Sequence, residues 1–541
     1  MTRDLFPLAA LRAVTARSWL ILLLLPCLHL VSLLVLRAHA GPFWMWSNLD
    51  PDYWYLLDSL NMINLHWPVH IAHPGTPVQL LGAVLIRIIH PLSSADQITD
   101  LVLANPETYL HLISAVLIVV NTAALVFVGL CGYLLFNDRL AVVLLQLAPF
   151  ISTLSIKWLT HVAPEPLLIT VVLILGGVAL LALRPGSLAQ NRLTYALVFG
   201  LLAGFGMATK ITSVGIYFLP VFLLWSPRAL ATYAAAGLVS MLLFTLPAAG
   251  SYGAFMDHLT AIFGGGAALG DIEKPVMDIA DYSRQLLRVS SRPAFFVVFF
   301  VSLSLIGYLG FQAKFRARPF PLAARLLAGL CLADLVQALI VAKHPSGHYM
   351  IPVLVLSALG ITLIYRTLME TMAASNSSSR PVYGIFGLVG AGLIVAQSLA
   401  MVKLDRQFVE RATVATSLND DRFDKCARIY FWSAASPSYA LQLGSHMVGN
   451  PFAEALTRSR PANDYWFEIM GKEFRNWSGP QDIEKIAASR PCLYARGYYP
   501  GHILPTLKAL LPNHSFSREC SPGGDHETLL TSGVNCQGDL E

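Results

Sequence analysis

Eleven apolar stretches punctuate this chain, near residues 18–38, 108–135, 139–158, 166–183, 193–209, 211–225, 229–247, 293–312, 321–342, 349–368 and 382–402, each long enough to cross or nearly cross a bilayer core. Backbone N–H and C=O groups in lipid must be satisfied within the chain, so such repetition restricts the fold to a bundle of helices. Composition agrees: 55% of the 541 residues are hydrophobic and 13% charged, which excludes an ordinary soluble domain. A net charge of +5 does not mark a nucleic-acid binder, because Lys and Arg are scattered in short inter-helix segments and form no stripe.

Arg3, Arg12 and Arg17 precede the first apolar run, which is longer than the core of a cleavable signal and lacks a clear small-residue cleavage site; it reads as an uncleaved span. With the N-terminus inside, the inner segments carry Arg139, then Arg184 and Arg192, Arg228, Lys314 with Arg316 and Arg318, and Arg366 with Arg380. An odd number of spans then puts everything from residue 403 onward outside. Cysteine placement leads to the same side: Cys27, Cys131 and Cys331 lie in apolar runs, whereas Cys426, Cys492, Cys520 and Cys536 all fall in the polar tail, as disulfides outside the cytoplasm require. Within that tail, Arg428–Trp432 reads as a strand, Ser436-Pro437 opens a helix through Leu443, and a helix over Gln481–Ser489 precedes a strand at Cys492–Ala495. The expected architecture is a polytopic α-helical membrane domain, residues 1–402, followed by a small extracytoplasmic α/β domain, residues 403–541.

Two outer loops are long, 39–107 and 248–292; the second, with Gly264-Gly265-Gly266, has the composition of a lid. The first carries Asn48-Leu49-Asp50-Pro51-Asp52-Tyr53, two carboxylates among interfacial aromatics. Asp50 before Pro51 also suits a helix cap, with Leu56, Leu57, Leu60 and Ile63 continuing an apolar face. Farther on, His73-Pro74-Gly75-Thr76-Pro77 leads into the apolar run Val78–Ile89, too short to span and suited to the interface.

The acidic motif after the first span, the His73–Pro77 segment, Ala163-Pro164-Glu165-Pro166-Leu167, Ala208-Thr209-Lys210 and His348-Tyr349-Met350-Ile351-Pro352 together resemble, in order and side, the GT-C superfamily of lipid-linked-sugar glycosyltransferases, which contains protein O-mannosyltransferases and the lipid A aminoarabinose transferase. The likeness covers about residues 18–402, and Pro-Gly stands where that family usually has Pro-Pro. It implies an inverting sugar transfer from a polyprenyl-phosphate donor to an envelope glycolipid, glycan or protein on the outer, periplasmic face of a bacterial inner membrane. It implies that Asp50 or Asp52 deprotonates the acceptor hydroxyl, and that His73, Glu165, Lys210, Lys343, His344, His348 and Tyr349 contact the donor phosphate or substrate. Some relatives use a divalent cation at the acidic loop, although no His/Cys/Asp grouping with ligand spacing marks a metal site in this sequence.

Each residue also has a plainer reading: Glu165 as a favourable charge at a helix N-terminus, Lys210 snorkelling to the interface, Lys343 and His344 as a solvated span end. A transporter or lipid flippase would likewise need many spans and a few intramembrane charges, but this chain shows no internal repeat and gathers its charges toward one face. A non-catalytic envelope assembly protein is the third alternative.

Overall fold

The computed structural model describes residues 14–46, 52–72, 74–264, 279–315, 320–343, 345–418, 423–431, 434–460, 463–468, 473–498, 500–516, 520 and 527–536. Helices dominate: α1 (Ala16–His39), α2 (Asp52–Ile63), α3 (Thr76–Ile89), α4 (Ala95–Ala104), α5 (Pro106–Phe136), α6 (Arg139–Gln146), α7 (Thr153–Trp158), α8 (Pro164–Ala182), α9 (Ser187–Thr209), α10 (Pro227–Thr245), α11 (Tyr252–Gly264), α12 (Ile279–Ser290), α13 (Pro293–Phe315), α14 (Leu322–Lys343), α15 (Ile351–Ala374) and α16 (Arg380–Ser417) precede the C-terminal sheet region. Among the described residues, nine helical segments are long and apolar enough to cross a membrane. The protein is therefore a polytopic helical membrane protein with a small C-terminal α/β domain.

Two of the eleven expected spans are not continuous helices. Over 139–158, α6 is capped by Asp138, which accepts from the amides of Leu140 (2.9 Å) and Ala141 (3.3 Å). The chain then tightens into a 3-10 turn at Ala148–Ile151 containing Pro149, and restarts as α7 under a Ser152 cap. Proline lacks the N–H that would continue the ladder, and the serine hydroxyl offers the backbone a competing acceptor. Over 211–225, α9 ends at Thr209, a 3-10 helix covers Ile211–Phe218, and Pro220 follows. Here the backbone comes so close to α14 that a Cβ on Gly215 would meet the Gln337 amide nitrogen at 2.6 Å. Non-helical backbone of this kind is tolerated where protein, not lipid, surrounds it.

By contacts the chain divides into two compact units. The first comprises Met1–Val35, Ile71–Val78 and Ala115–Leu404; the second comprises Leu36–His70, Gln79–Ser114 and Asp405–Glu541. The second unit thus groups most of the first long loop with the C-terminal region. Its α2 packs on helix α17 (Pro437–Met447), and α4 on α18 (Ala453–Ser459). The sheet consists of β1 (Ala427–Tyr430), β2 (Asp464–Glu468), β3 (Glu473–Asn476), β4 (Gly479–Gln481), β5 (Leu493–Gly497) and β6 (Thr528–Ser532), in spatial order β4-β3-β2-β1-β5-β6, with β1 parallel to both β2 and β5 and the other pairs antiparallel. Alternation along β1 and β5 buries Ile429 and Ala495 on one face with Phe474, Leu507 and Leu530, and Tyr430 and Tyr494 on the other with Trp466 and Leu529. Helices α19 (Ile483–Ser489) and α20 (Pro500–Leu510) flank β5 in sequence. Disulfides join Cys426 to Cys492, the residues entering adjacent parallel strands, and Cys520 to Cys536 on either side of β6.

The 248–292 segment contains α11 and α12; residues 265–278 between them, which include Gly265 and Gly266 of the expected lid, lie outside the described residues.

Candidate active site

Three interruptions in the membrane helices bring ionisable groups together in the first unit. Glu165 occupies the first turn of α8, behind Pro164 at the first helical position, where proline costs no hydrogen bond and a carboxylate complements the helix dipole. Lys210 is the residue at which α9 stops: its backbone is extended (φ −159°, ψ 109°), and its carbonyl accepts from the Ser213 hydroxyl at 2.7 Å. His348 and Tyr349 lie on the 3-10 turn Gly347–Met350 that precedes α15.

The Lys210 ammonium donates to Oε1 of Glu165, with Glu165 1% and Lys210 2% exposed. His348 Nε2 stands 4.0 Å from the same oxygen, and the ammonium lies 4.9 Å from the centre of the Tyr349 ring, within cation–π range. The histidine is oriented from its far side, where Nδ1 is hydrogen-bonded to the Ser346 hydroxyl at 2.8 Å, and its ring packs on Trp158 at 4.9 Å. Gln337 draws the two segments together by donating to the carbonyls of Thr212 (2.8 Å) and Tyr349 (2.9 Å). Glu165 Oε2 is buried and has no hydrogen-bond partner among the described residues. A buried carboxylate with one committed and one open oxygen, a desolvated ammonium and an oriented imidazole can accept a donor, neutralise an anion and relay a proton.

Sequence reasoning singled out four of these residues, Glu165, Lys210, His348 and Tyr349, and the structure brings them into contact. It missed Trp158, Ser346 and Gln337, which carry no charge and no motif; only their neighbours in the fold reveal them. Lys343 ends α14 with a partly buried side chain. Asp50, His73 and His344 lie outside the described residues.

Asp52 belongs to the second unit, as the buried first residue of α2, within electrostatic reach of Arg37. Ahead of it, the turn Phe43–Trp46 is held by Glu107, whose carboxylate accepts from the amides of Phe43 (2.8 Å) and Trp44 (3.1 Å) and from the Tyr53 hydroxyl (2.8 Å). Burial and that carboxylate push the Tyr53 phenol well above its ordinary range, so it remains a donor. Arg411 donates to the Met45 carbonyl at 2.8 Å and stacks 4.2 Å over Trp46. Among the described residues no three His, Cys, Asp or Glu side chains converge as a metal site requires, and Glu107 is already committed to three donors.

A cleft of about 670 Å³ also lies in the first unit, lined by α13, α15 and α16. Its polar lining, Ser152, Arg292 and Gln397, gathers at one end: Thr153 bonds Gln397 at 3.2 Å, and a side chain on Gly347 would meet the Arg292 guanidinium at 2.9 Å and Leu154 at 3.4 Å. Away from that end the walls are apolar, through Val301, Ile364 and Phe386.

The class this defines is a polytopic membrane protein with a buried acid–base cluster at helix ends and an α/β domain. No family model matches the chain, and no curated protein matches it. Among solved structures it is similar to the crystal structure of ArnT from Cupriavidus metallidurans bound to undecaprenyl phosphate, at 12% identity over 96% of this chain and 98% of that one, with a TM-score of 0.44. The apo state of the same protein is similar at 12% identity and a TM-score of 0.44, over 95% and 98% of the two chains.

Proposed function

We propose that the protein is a membrane glycosyltransferase that transfers a sugar from a polyprenyl-phosphate donor to an envelope glycolipid, glycan or protein on the outer face of the membrane. The observation that carries this reading is the buried Glu165–Lys210 pair with His348 and Tyr349 beside it, a cluster of charged and hydrogen-bonding side chains among membrane helices. Burying such a pair is costly unless the charges are used, and a departing lipid phosphate needs cationic neighbours of this kind. The cleft with Arg292, Ser152 and Gln397 at one end suits a long apolar chain ending in an anionic group.

In the proposed reaction, Asp50 or Asp52 takes the proton of the acceptor hydroxyl, the acceptor oxygen attacks the anomeric carbon from the face opposite the phosphate, and the bond from that carbon to the phosphate oxygen breaks. The electron pair leaves with the polyprenyl phosphate, whose charge is met by Lys210 and His348, with His73, Lys343 and His344 as further contacts. The test compares envelope glycolipids and glycoproteins of wild-type and deletion strains by mass spectrometry, then assays purified enzyme with polyprenyl-phosphate sugars. One missing sugar, restored by the wild-type gene but not by Lys210→Met or by Asp50→Asn/Asp52→Asn, is expected. Unchanged glycans together with no transfer in vitro would overturn the reading, and full activity of both Asp variants would remove the catalytic assignment.

A further inference from the structure

Asp58 lies two turns into α2, fully buried on a helix whose other inward residues are largely apolar, and nothing above uses it. Its Oδ1 accepts from Asn61 Nδ2 and the Val69 amide, and its Oδ2 from the His70 amide and Gln79 Nε2, all at 2.9 Å. Gln79 Nε2 also donates to the His70 carbonyl at 2.8 Å, while the Ser59 hydroxyl donates to the Gln79 carbonyl at 2.8 Å. His70 and Gln79 are the residues between which the chain leaves the second unit and returns to it, the intervening Ile71–Val78 belonging to the first. One carboxylate therefore fastens both ends of that excursion.

We propose that Asp58 is a positioning residue: by binding Val69, His70 and Gln79 at once it ties together the two ends of the stretch that carries Pro74-Gly75-Thr76-Pro77. Four donors converge on two oxygens, an arrangement that fits a carboxylate. The groups facing it are neutral: Asn61 on its own helix, the two strap amides, and Gln79 on α3. The one titratable side chain among these partners, His70, turns its ring toward Trp54 (4.6 Å) and Tyr55 (5.6 Å), and among the described residues no cation pairs with Asp58. Burial without a counter-charge raises the carboxyl to about 6. A raised value means that the proton is bound more readily in the closed site than in an opened one, so acidification does not by itself open the clasp. The part of this inference that concerns turnover rests on the glycosyltransferase reading; the part that concerns the clasp does not.

The test measures amide hydrogen exchange of the peptide spanning 66–79 in the full-length protein in detergent at pH 7.5, corrected for intrinsic rates. Asp58→Asn, which replaces one acceptor oxygen by a donor, is expected to exchange at least about tenfold faster than wild type, and Gln79→Leu faster than wild type by a smaller factor. Equal protection in wild type and Asp58→Asn overturns the clasp. In transfer assays with polyprenyl-phosphate sugars, Asp58→Asn is expected to lower kcat by at least about tenfold at unchanged thermal stability, with part of the loss recovered in Asp58→Glu; unchanged turnover in Asp58→Asn overturns the positioning role. Should wild type transfer no sugar at all, the functional reading fails while the exchange data still decide the clasp.

Discussion

The ammonium of Lys210 donates to Oε1 of Glu165 while Oε2 of the same carboxylate is buried with no hydrogen-bond partner among the described residues. The pair joins the first turn of one helix to the residue that follows the end of another, 45 positions apart.

Removing one member strands the other charge. Lys210→Met is expected to destabilise the protein by about 3–5 kcal/mol, whereas Glu165→Gln combined with Lys210→Met, which removes both charges, should cost less. Thermal unfolding in detergent checks the order, and both variants should lose sugar transfer. A single variant as stable as wild type would mean that solvent reaches the pair.

The cleft allows a separation of chain recognition from chemistry. Ala294 lines it near the polar end, so Ala294→Trp fills volume while leaving Glu165, Lys210 and His348 themselves unchanged. The KM for a long-chain polyprenyl-phosphate sugar is expected to rise by about tenfold with kcat little changed, and a short-chain donor analogue should be affected less. Equal effects on both donors would place the chain elsewhere.

His348 is oriented by Ser346 and Trp158 before any substrate arrives, so its contribution should be sensitive to that support. Ser346→Ala leaves Nδ1 without its partner and is expected to lower kcat by about tenfold, a smaller loss than His348→Ala at roughly 100-fold. Steady-state kinetics on variants of unchanged thermal stability would read the difference; equal losses would mean that the serine does more than orient the ring.

The apolar runs announced most of the membrane helices because hydrocarbon leaves the backbone few options. Length alone could not tell a span from a broken segment: Pro149 and Ser152 divide 139–158, and the close approach of Gly215 to Gln337 accounts for 211–225 only once α14 is in place. Glu165, Lys210 and His348 stood out as ionisable residues beside long apolar runs, yet their pairing was invisible, since it depends on where two helices begin and a third ends. Asp58 and Glu107 were passed over because a lone carboxylate in sequence does not reveal which donors meet it. Their bonds to Val69, His70, Phe43 and Trp44 come from chain that only the fold brings near.

The two disulfides should differ in weight. Cys426–Cys492 closes a loop with a sequence separation of 66 and links the starts of β1 and β5, whereas Cys520–Cys536 closes one of 16 around β6. On the chain-entropy account the longer loop is worth about 4 kcal/mol and the shorter about 3. The longer one also lies in the core with Tyr430, Tyr494 and Trp466, so its loss disturbs packing as well as entropy. Cys426→Ser/Cys492→Ser should therefore expose the sheet to proteolysis at lower temperature than Cys520→Ser/Cys536→Ser, with cleavage mapped by mass spectrometry to residues after 404. If the order is reversed, local packing around β6 outweighs loop length in this domain.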